Sequence, residues 1–420
     1  MKSEYHPIWL ILLMGLSGQV TQVAASEPVF TQDSDLLTSE QLVAAVLRAN
    51  PKLEIAQAAW LAALARIDQQ AAFEDPKFSY QIAPLTISDD QTNYGQRIEI
   101  SQKLPWTGKL RLRNEALSRK ADVSHQTINS VRLELSATAR YFFADWYYIH
   151  RAIEINRHNQ ALLKAFRAIT VQRYGTGLTG KQDALRADME FALLEHQAIV
   201  LVRKRGAIRT RINTLLNQLP DSTLAQPSGL IEITPLPAVK LLQQQALQTR
   251  PELKAFAAKI EAAHSHAELM AKNNYPDISL KASYNSLWKN SSKHFMIGIG
   301  INLPLFRGKH RAADQEAQAL ITQLKWQQVD FIAKLREDIQ IDYDRVQESL
   351  HVLSLYKNKL LPLARKILDA SKLDYQSGKG DFLSLVSREK EYAQIRLQNE
   401  QALADTHRRQ AELDRTVGQL

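Results

Sequence analysis

Apolar residues recur along two long stretches of the chain at alternating spacings of four and three. In residues 308–417 the positions Val346, Leu350, Leu353, Leu360, Ala364 and Ile367 follow this pattern, which is the narrow seam of a coiled coil and not the wider stripe of a globular helix. The stretch predicts an outgoing helix, a turn at Gln376-Ser377-Gly378-Lys379-Gly380, and a helix that returns. An arm of about 65 residues rising about 1.5 Å per residue is roughly 100 Å long, so it must project from any compact body. Residues 108–216 repeat the design, with Leu135, Ala139, Phe142, Trp146, Ile149 and Ile153 on the seam and a turn at Tyr174-Gly175-Thr176-Gly177. Two antiparallel helical hairpins are therefore expected.

Ahead of each hairpin the period changes from that of a helix to two. Phe295, Ile297, Ile299, Ile301 and Leu303 alternate with Met296, Gly298, Gly300 and Asn302, and Ile278, Leu280, Ala282 and Tyr284 alternate with Ser279, Lys281 and Ser283. Upstream, Phe78, Tyr80 and Ile82 alternate with Ser79 and Gln81, while Ile98 and Ile100 alternate with Arg97, Glu99 and Ser101. Strands are expected over 77–84, 94–104, 277–285 and 294–304. Such alternation fits a half-buried strand of a soluble sheet, and it equally fits transmembrane barrel strands, which run about 9 to 11 residues. A sheet in lipid has to close, because open edges leave backbone groups unsatisfied. Four strands are too few, since the smallest barrels of this kind have about eight; on that reading the barrel is shared among copies.

Leu42, Leu47, Pro51, Leu53, Pro76 and Phe78 recur as Leu242, Leu247, Pro251, Leu253, Pro276 and Ile278. The near-constant offset persists through Leu104-Pro-Trp-Thr-Gly-Lys109 and Leu303-Pro-Leu-Phe-Arg-Gly-Lys309 to the hairpin turns, which marks an internal duplication. The first repeat spans 26–218 and the second 240–420, joined by a linker at 219–239 that carries Pro220, Pro227, Pro235 and Pro237. Each repeat opens with an Ala-rich helix, expected over 40–73 in the first copy with Ser39 as its N-cap. Pro51, and Pro251 in the second copy, should bend or divide these helices.

Composition narrows the compartment and the chemistry. Lys2, the apolar run Ile8–Met14 and the small residues ending at Ala25 have the layout of a secretory signal peptide over 1–25. The chain has no cysteine, hence no disulfide and no thiolate metal site, and its five methionines form no soft-ligand ladder. A net charge of +9 is spread over helices among acidic residues, which excludes a nucleic-acid footprint. No catalytic constellation, phosphate loop or cofactor site is present in the sequence. His264 and His266, beside Glu261 and Glu268, lie two positions apart on a helix and do not face one ion, so no metal centre is assigned to them.

The order of elements, together with Asn50-Pro-Lys-Leu53, Arg250-Pro-Glu-Leu253, Gln102-Lys-Leu-Pro-Trp-Thr-Gly-Lys109, Arg173-Tyr-Gly-Thr-Gly177 and Asp374-Tyr-Gln-Ser-Gly378, resembles the TolC-like outer-membrane efflux proteins. The Leu-Pro-Trp-Thr-Gly-Lys wording looks most like their heavy-metal cation branch. The resemblance implies a mostly α protein, not an enzyme, with four strands per chain in a shared transmembrane β-barrel. The duplicated hairpins would form a trimeric α-barrel across the periplasm, and the partners would be outer-membrane lipid, a periplasmic membrane-fusion adaptor and an inner-membrane RND pump. It further implies a passive duct, with Tyr174, Gly177, Tyr375 and Gly378 at the tips that meet the adaptor. Family members carry aspartates just beyond the second turn that ring the periplasmic opening, which places Asp381 there, although Ser384 stands where a second acid is expected. Pro362 interrupts the second outgoing helix and has no counterpart near Ala161, so the second hairpin is expected to bend there and open the periplasmic end. Two alternatives remain at this point: a type I secretion channel, and a periplasmic coiled-coil scaffold whose strands form a soluble sheet.

Overall fold

The computed structural model describes residues 36–84, 95–175, 181–231, 233, 235–286, 294–377 and 379–419. The expected signal peptide and the tip residues Gly177 and Gly378 lie outside them.

Helix α1 (Ser39–Ala49) is capped by Thr38 and not by Ser39. Thr38 Oγ1 accepts the Gln41 N–H at 3.2 Å and the Gln41 side chain accepts the Thr38 N–H at 2.9 Å, a reciprocal box that only a residue three before the glutamine can close. Asn50 then separates α1 from α2 (Pro51–Ala71). Pro51 takes the first helical position, where its missing N–H costs nothing. The second repeat breaks in the same way, between α5 (Val239–Thr249) and α6 (Pro251–Lys272).

The strands β1 (Lys77–Ile82), β2 (Gln96–Leu104), β3 (Ile278–Ser286) and β4 (Phe295–Ile301) form one antiparallel sheet in the order β1-β2-β3-β4. Its central pairing, β2 with β3, joins the two repeats. Neither β1 nor β4 has a second neighbour among the described residues, so the sheet has two open edges.

Below the sheet run α3 (Lys109–Gly175) and α4 (Lys181–Leu215) of the first hairpin. The second hairpin consists of α7 (Arg307–Leu355), α8 (Leu361–Gln376) and α9 (Phe382–Val417). With 67 residues going out and 35 returning, the two arms of the first hairpin pair over only part of their length. The rest of α3 is covered by α2 and α6. One core holds Leu42, Val46, Leu135, Phe143, Ile149, Ile212 and Leu216. Another holds Leu242, Ala246, Leu335, Ile339, Val346, Leu413 and Val417. The linker is tied to the first of these: Ala225 is buried in it, and its carbonyl accepts the Trp146 Nε1–H at 2.9 Å.

The second outgoing arm is not the single regular helix that its periodicity suggests. Residues Tyr356–Leu360 form a π turn in which the Leu361 N–H reaches back to the Tyr356 carbonyl. Pro362 follows directly. In a regular helix its ring would crowd the carbonyl of Asn358, which would receive no hydrogen bond from it; the wider turn just ahead relaxes that conflict. Beyond the π turn the seam keeps Ala364 but departs from the expected spacing after it. Ala364 and Leu368 are buried, whereas Ile367, expected on the seam, is 39% exposed.

Candidate functional site

The sheet separates its charges from nearly all of its large apolar side chains by face. Phe78, Ile100, Ala282 and Ile297 share one row, and Tyr80, Ile98, Tyr284 and Phe295 share another. These side chains find little cover within the chain: on β4, Phe295, Ile297, Ile299 and Ile301 are 56% to 77% exposed. All charged residues of the four strands, Lys77, Arg97, Glu99, Lys103 and Lys281, lie on the opposite face among serines and glycines. So large an exposed apolar surface, backed by a wetted one, marks contact with something other than water. Among the described residues no helix is long and apolar enough to cross a membrane. Tight pairing also limits side-chain size on the polar face, since a Cβ at Gly300 would stand 2.5 Å from Ser279 Oγ.

Where β2 passes into α3, the chain turns on Gly108 at a φ of +91°, a conformation that favours glycine. The turn brings Lys109 onto the second repeat. Lys109 Nζ donates to Asp277 Oδ1 at 2.7 Å and to the Tyr275 carbonyl at 3.3 Å, and the Trp106 N–H donates to the same carboxylate oxygen at 2.9 Å. The Trp106 ring stacks on Tyr275 at 5.3 Å. Burial raises the Asp277 carboxyl pKa, but the hydrogen bonds from Lys109 and Trp106 outweigh it and hold the group below the usual carboxylate value. Sequence reasoning singled out the Leu-Pro-Trp-Thr-Gly-Lys motif and missed Asp277. The available signal was that Lys77 replaces the acid at the matching place in the first repeat.

Of the expected tip residues, Tyr174 lies in the last turn of α3, and Tyr375 is half-buried. The Tyr375 ring lies 6.2 Å from Phe382. It joins Leu163, Phe166, Ala187, Phe191 and Val386 in a cluster that ties the ends of the two hairpins together. Asp381 is the N-cap of α9. Its Oδ1 accepts the Ser384 N–H at 2.8 Å and its Oδ2 accepts the Ser384 hydroxyl at 2.7 Å. Those bonds, the hydroxyl's first, lower the Asp381 pKa. Ser384, noted from sequence as a missing acid, is thus the partner that fixes the present one. Pro362 lies upstream, in the first turn of α8, away from the Asp381 cap.

Between the hairpins, α3 and α9 meet along an ionic seam. Arg140 pairs with Asp414 at 3.0 Å, Arg151 with Glu400 at 3.3 Å, and Arg408 with Asp145. Tyr147 donates to Glu400 at 2.7 Å. His150, edge-on to Trp146, has its pKa lowered to about 4, first by burial and then by Arg205 and Arg157. Nothing in the seam pattern of either helix announces these pairs, which join residues about 250 positions apart.

The second repeat, residues 242–419, matches the family model described as outer membrane efflux protein. The cobalt-zinc-cadmium resistance protein CzcC of Cupriavidus metallidurans is 19% identical over 317 residues, 74% of each chain. The solved outer-membrane channel OprN superposes with a TM-score of 0.74 at 20% identity, covering 90% of this chain and 89% of its own. CusC, a transmembrane channel, superposes with a TM-score of 0.77 at 16% identity, covering 91% and 92%. The second repeat thus carries the pattern of the outer membrane efflux proteins, and the chain as a whole shares the fold of the solved outer-membrane channels. It is an outer-membrane efflux channel that reaches into the periplasm, and not an enzyme.

Proposed function

We propose that three copies of the chain close one transmembrane barrel above a helical tunnel, and that this channel is the passive exit duct of a tripartite efflux system. The observation that carries this reading is the sheet itself: an apolar face, an opposite face holding all the charge, and two unpaired edges. In lipid those edges must pair, and β4 of one copy with β1 of the next is a head-to-tail contact that closes as a ring. A periplasmic adaptor and an RND-type inner-membrane pump complete the assembly, docking at the tips around Tyr174, Gly177, Tyr375 and Gly378. Heavy-metal cations are the cargo suggested by the relative CzcC. The π turn and Pro362 give the second hairpin a locus of bending that the unbroken α3 lacks. On this reading the second hairpin swings and Asp381 lines the opening it controls.

Membrane fractionation followed by analytical ultracentrifugation tests the proposal. The protein should resist a high-salt wash, require detergent, and sediment as a trimer. Release by salt alone would favour a periplasmic scaffold, and a stable β-containing monomer would overturn the shared barrel.

A further inference from the structure

The channel reading, on which the following rests, makes the polar face of the sheet the lining of the barrel, and that face is unevenly charged. Of its four cations, Arg97 contacts Glu99 at 2.7 Å, and Lys103 contacts Glu74 at 3.1 Å and Asp277 at 3.9 Å. Lys77 and Lys281 are exposed and have no acidic partner among the described residues. They also stand at one level. Lys77 pairs across to Ser101 on β2, and Ser101 pairs onward to Lys281 on β3. Two strand spacings of about 4.8 Å put roughly 10 Å between their backbones. The next position in the row is Gly298, which adds no side chain to fill the space beside Lys281. Three copies would repeat this row around the lumen. A separation of roughly 10 Å equals the Debye length at about 0.1 M salt, so neighbouring charges are partly screened and reinforce one another most at low ionic strength.

We infer that Lys77 and Lys281 form a cationic collar inside the barrel that makes the duct prefer anions. Rings of lysine or arginine select anions in pores, and lumen-facing residues set the selectivity of outer-membrane barrels. A divalent cation crossing this collar is favoured as a neutral or anionic complex over the bare ion.

The test is the reversal potential of the purified full-length channel in planar bilayers across a tenfold potassium chloride gradient. The unaltered protein should favour chloride by about two- to threefold. Lys77→Gln with Lys281→Gln should abolish the preference, and Lys77→Glu with Lys281→Glu should invert it. A potassium preference in the unaltered channel, or an unchanged reversal potential in the glutamine variant, overturns the collar while leaving the channel intact. Absence of any conductance overturns the channel reading itself.

Discussion

In the first repeat, the segment from Leu104 to Lys109 leaves the sheet clasped by the second: Lys109 is only 5% exposed, bonded to Asp277, and Trp106 lies on Tyr275. In the second repeat, the matching segment from Leu303 to Lys309 leaves it bare, with Leu303, Leu305 and Phe306 66%, 75% and 79% exposed. The same motif thus has a partner in one place and none in the other. The difference follows from position in the sheet, since β2 has neighbours on both sides and β4 has one. A duplicated chain satisfies only its internal junction; in the trimer proposed above, the outer one would meet the first repeat of another copy. Apolar residues this exposed beside an open strand edge are what a head-to-tail contact needs.

Substitutions at the two lysines should separate the junctions most sharply. Lys109→Met removes the 2.7 Å partner of the half-buried Asp277 carboxylate and leaves it only the more distant Lys103 as a cation, a loss of about 1 to 3 kcal/mol, visible as a lower midpoint of guanidinium unfolding. Lys309→Met, on an exposed side chain, should leave that midpoint unchanged. Equal effects at both positions would erase the comparison. Phe306→Asp should act in the reverse sense, keeping the helical signal of the single chain while the trimer is lost in sedimentation; full trimer yield would mean that the bare junction stays bare in the assembly. A smaller effect is expected at the far end of the molecule. Asp381→Ala removes the cap of α9 at about 1 kcal/mol, whereas Asp381→Asn caps nearly as well. Any change in conductance that appears with Asn therefore reports the charge and not the fold, and conductance unchanged by Asn would remove Asp381 from the gate.

Much of the architecture is written in periodicities. The change from a period of two to the four-three seam exposed both strands and hairpins, and the duplication showed in residues such as Pro51 and Pro251 that mark backbone breaks. What escaped depends on contacts that pattern does not encode. The Asp277 clasp joins residues about 170 positions apart. The π turn is hinted at by Pro362 alone, and the position buried after Ala364 is Leu368 and not the expected Ile367. Thr38 and Ser39 are equivalent as local N-cap candidates, and only the position of Gln41 decides between them. Asp381 with Ser384 three residues later has the spacing of a cap, so its structural role was legible, while its place in a gate depends on an assembly beyond the single chain.

The pairing of β4 with β1 of the next copy is the claim on which the rest depends, and a chain without cysteine allows it to be tested by cross-linking. By correspondence with the β2–β3 pairing, Ile301 falls beside Tyr80 of the neighbour. Within one chain the two residues sit on opposite edge strands, about 14 Å apart across the sheet and, because Tyr80 shares its row with Phe295, a further roughly 20 Å apart along it, too far for a disulfide. Oxidation of the Tyr80→Cys, Ile301→Cys double variant in outer membranes should give a ladder on denaturing gels that stops at three chains, reversed by reductant. Monomer alone, or a ladder that runs past three, would contradict the shared barrel.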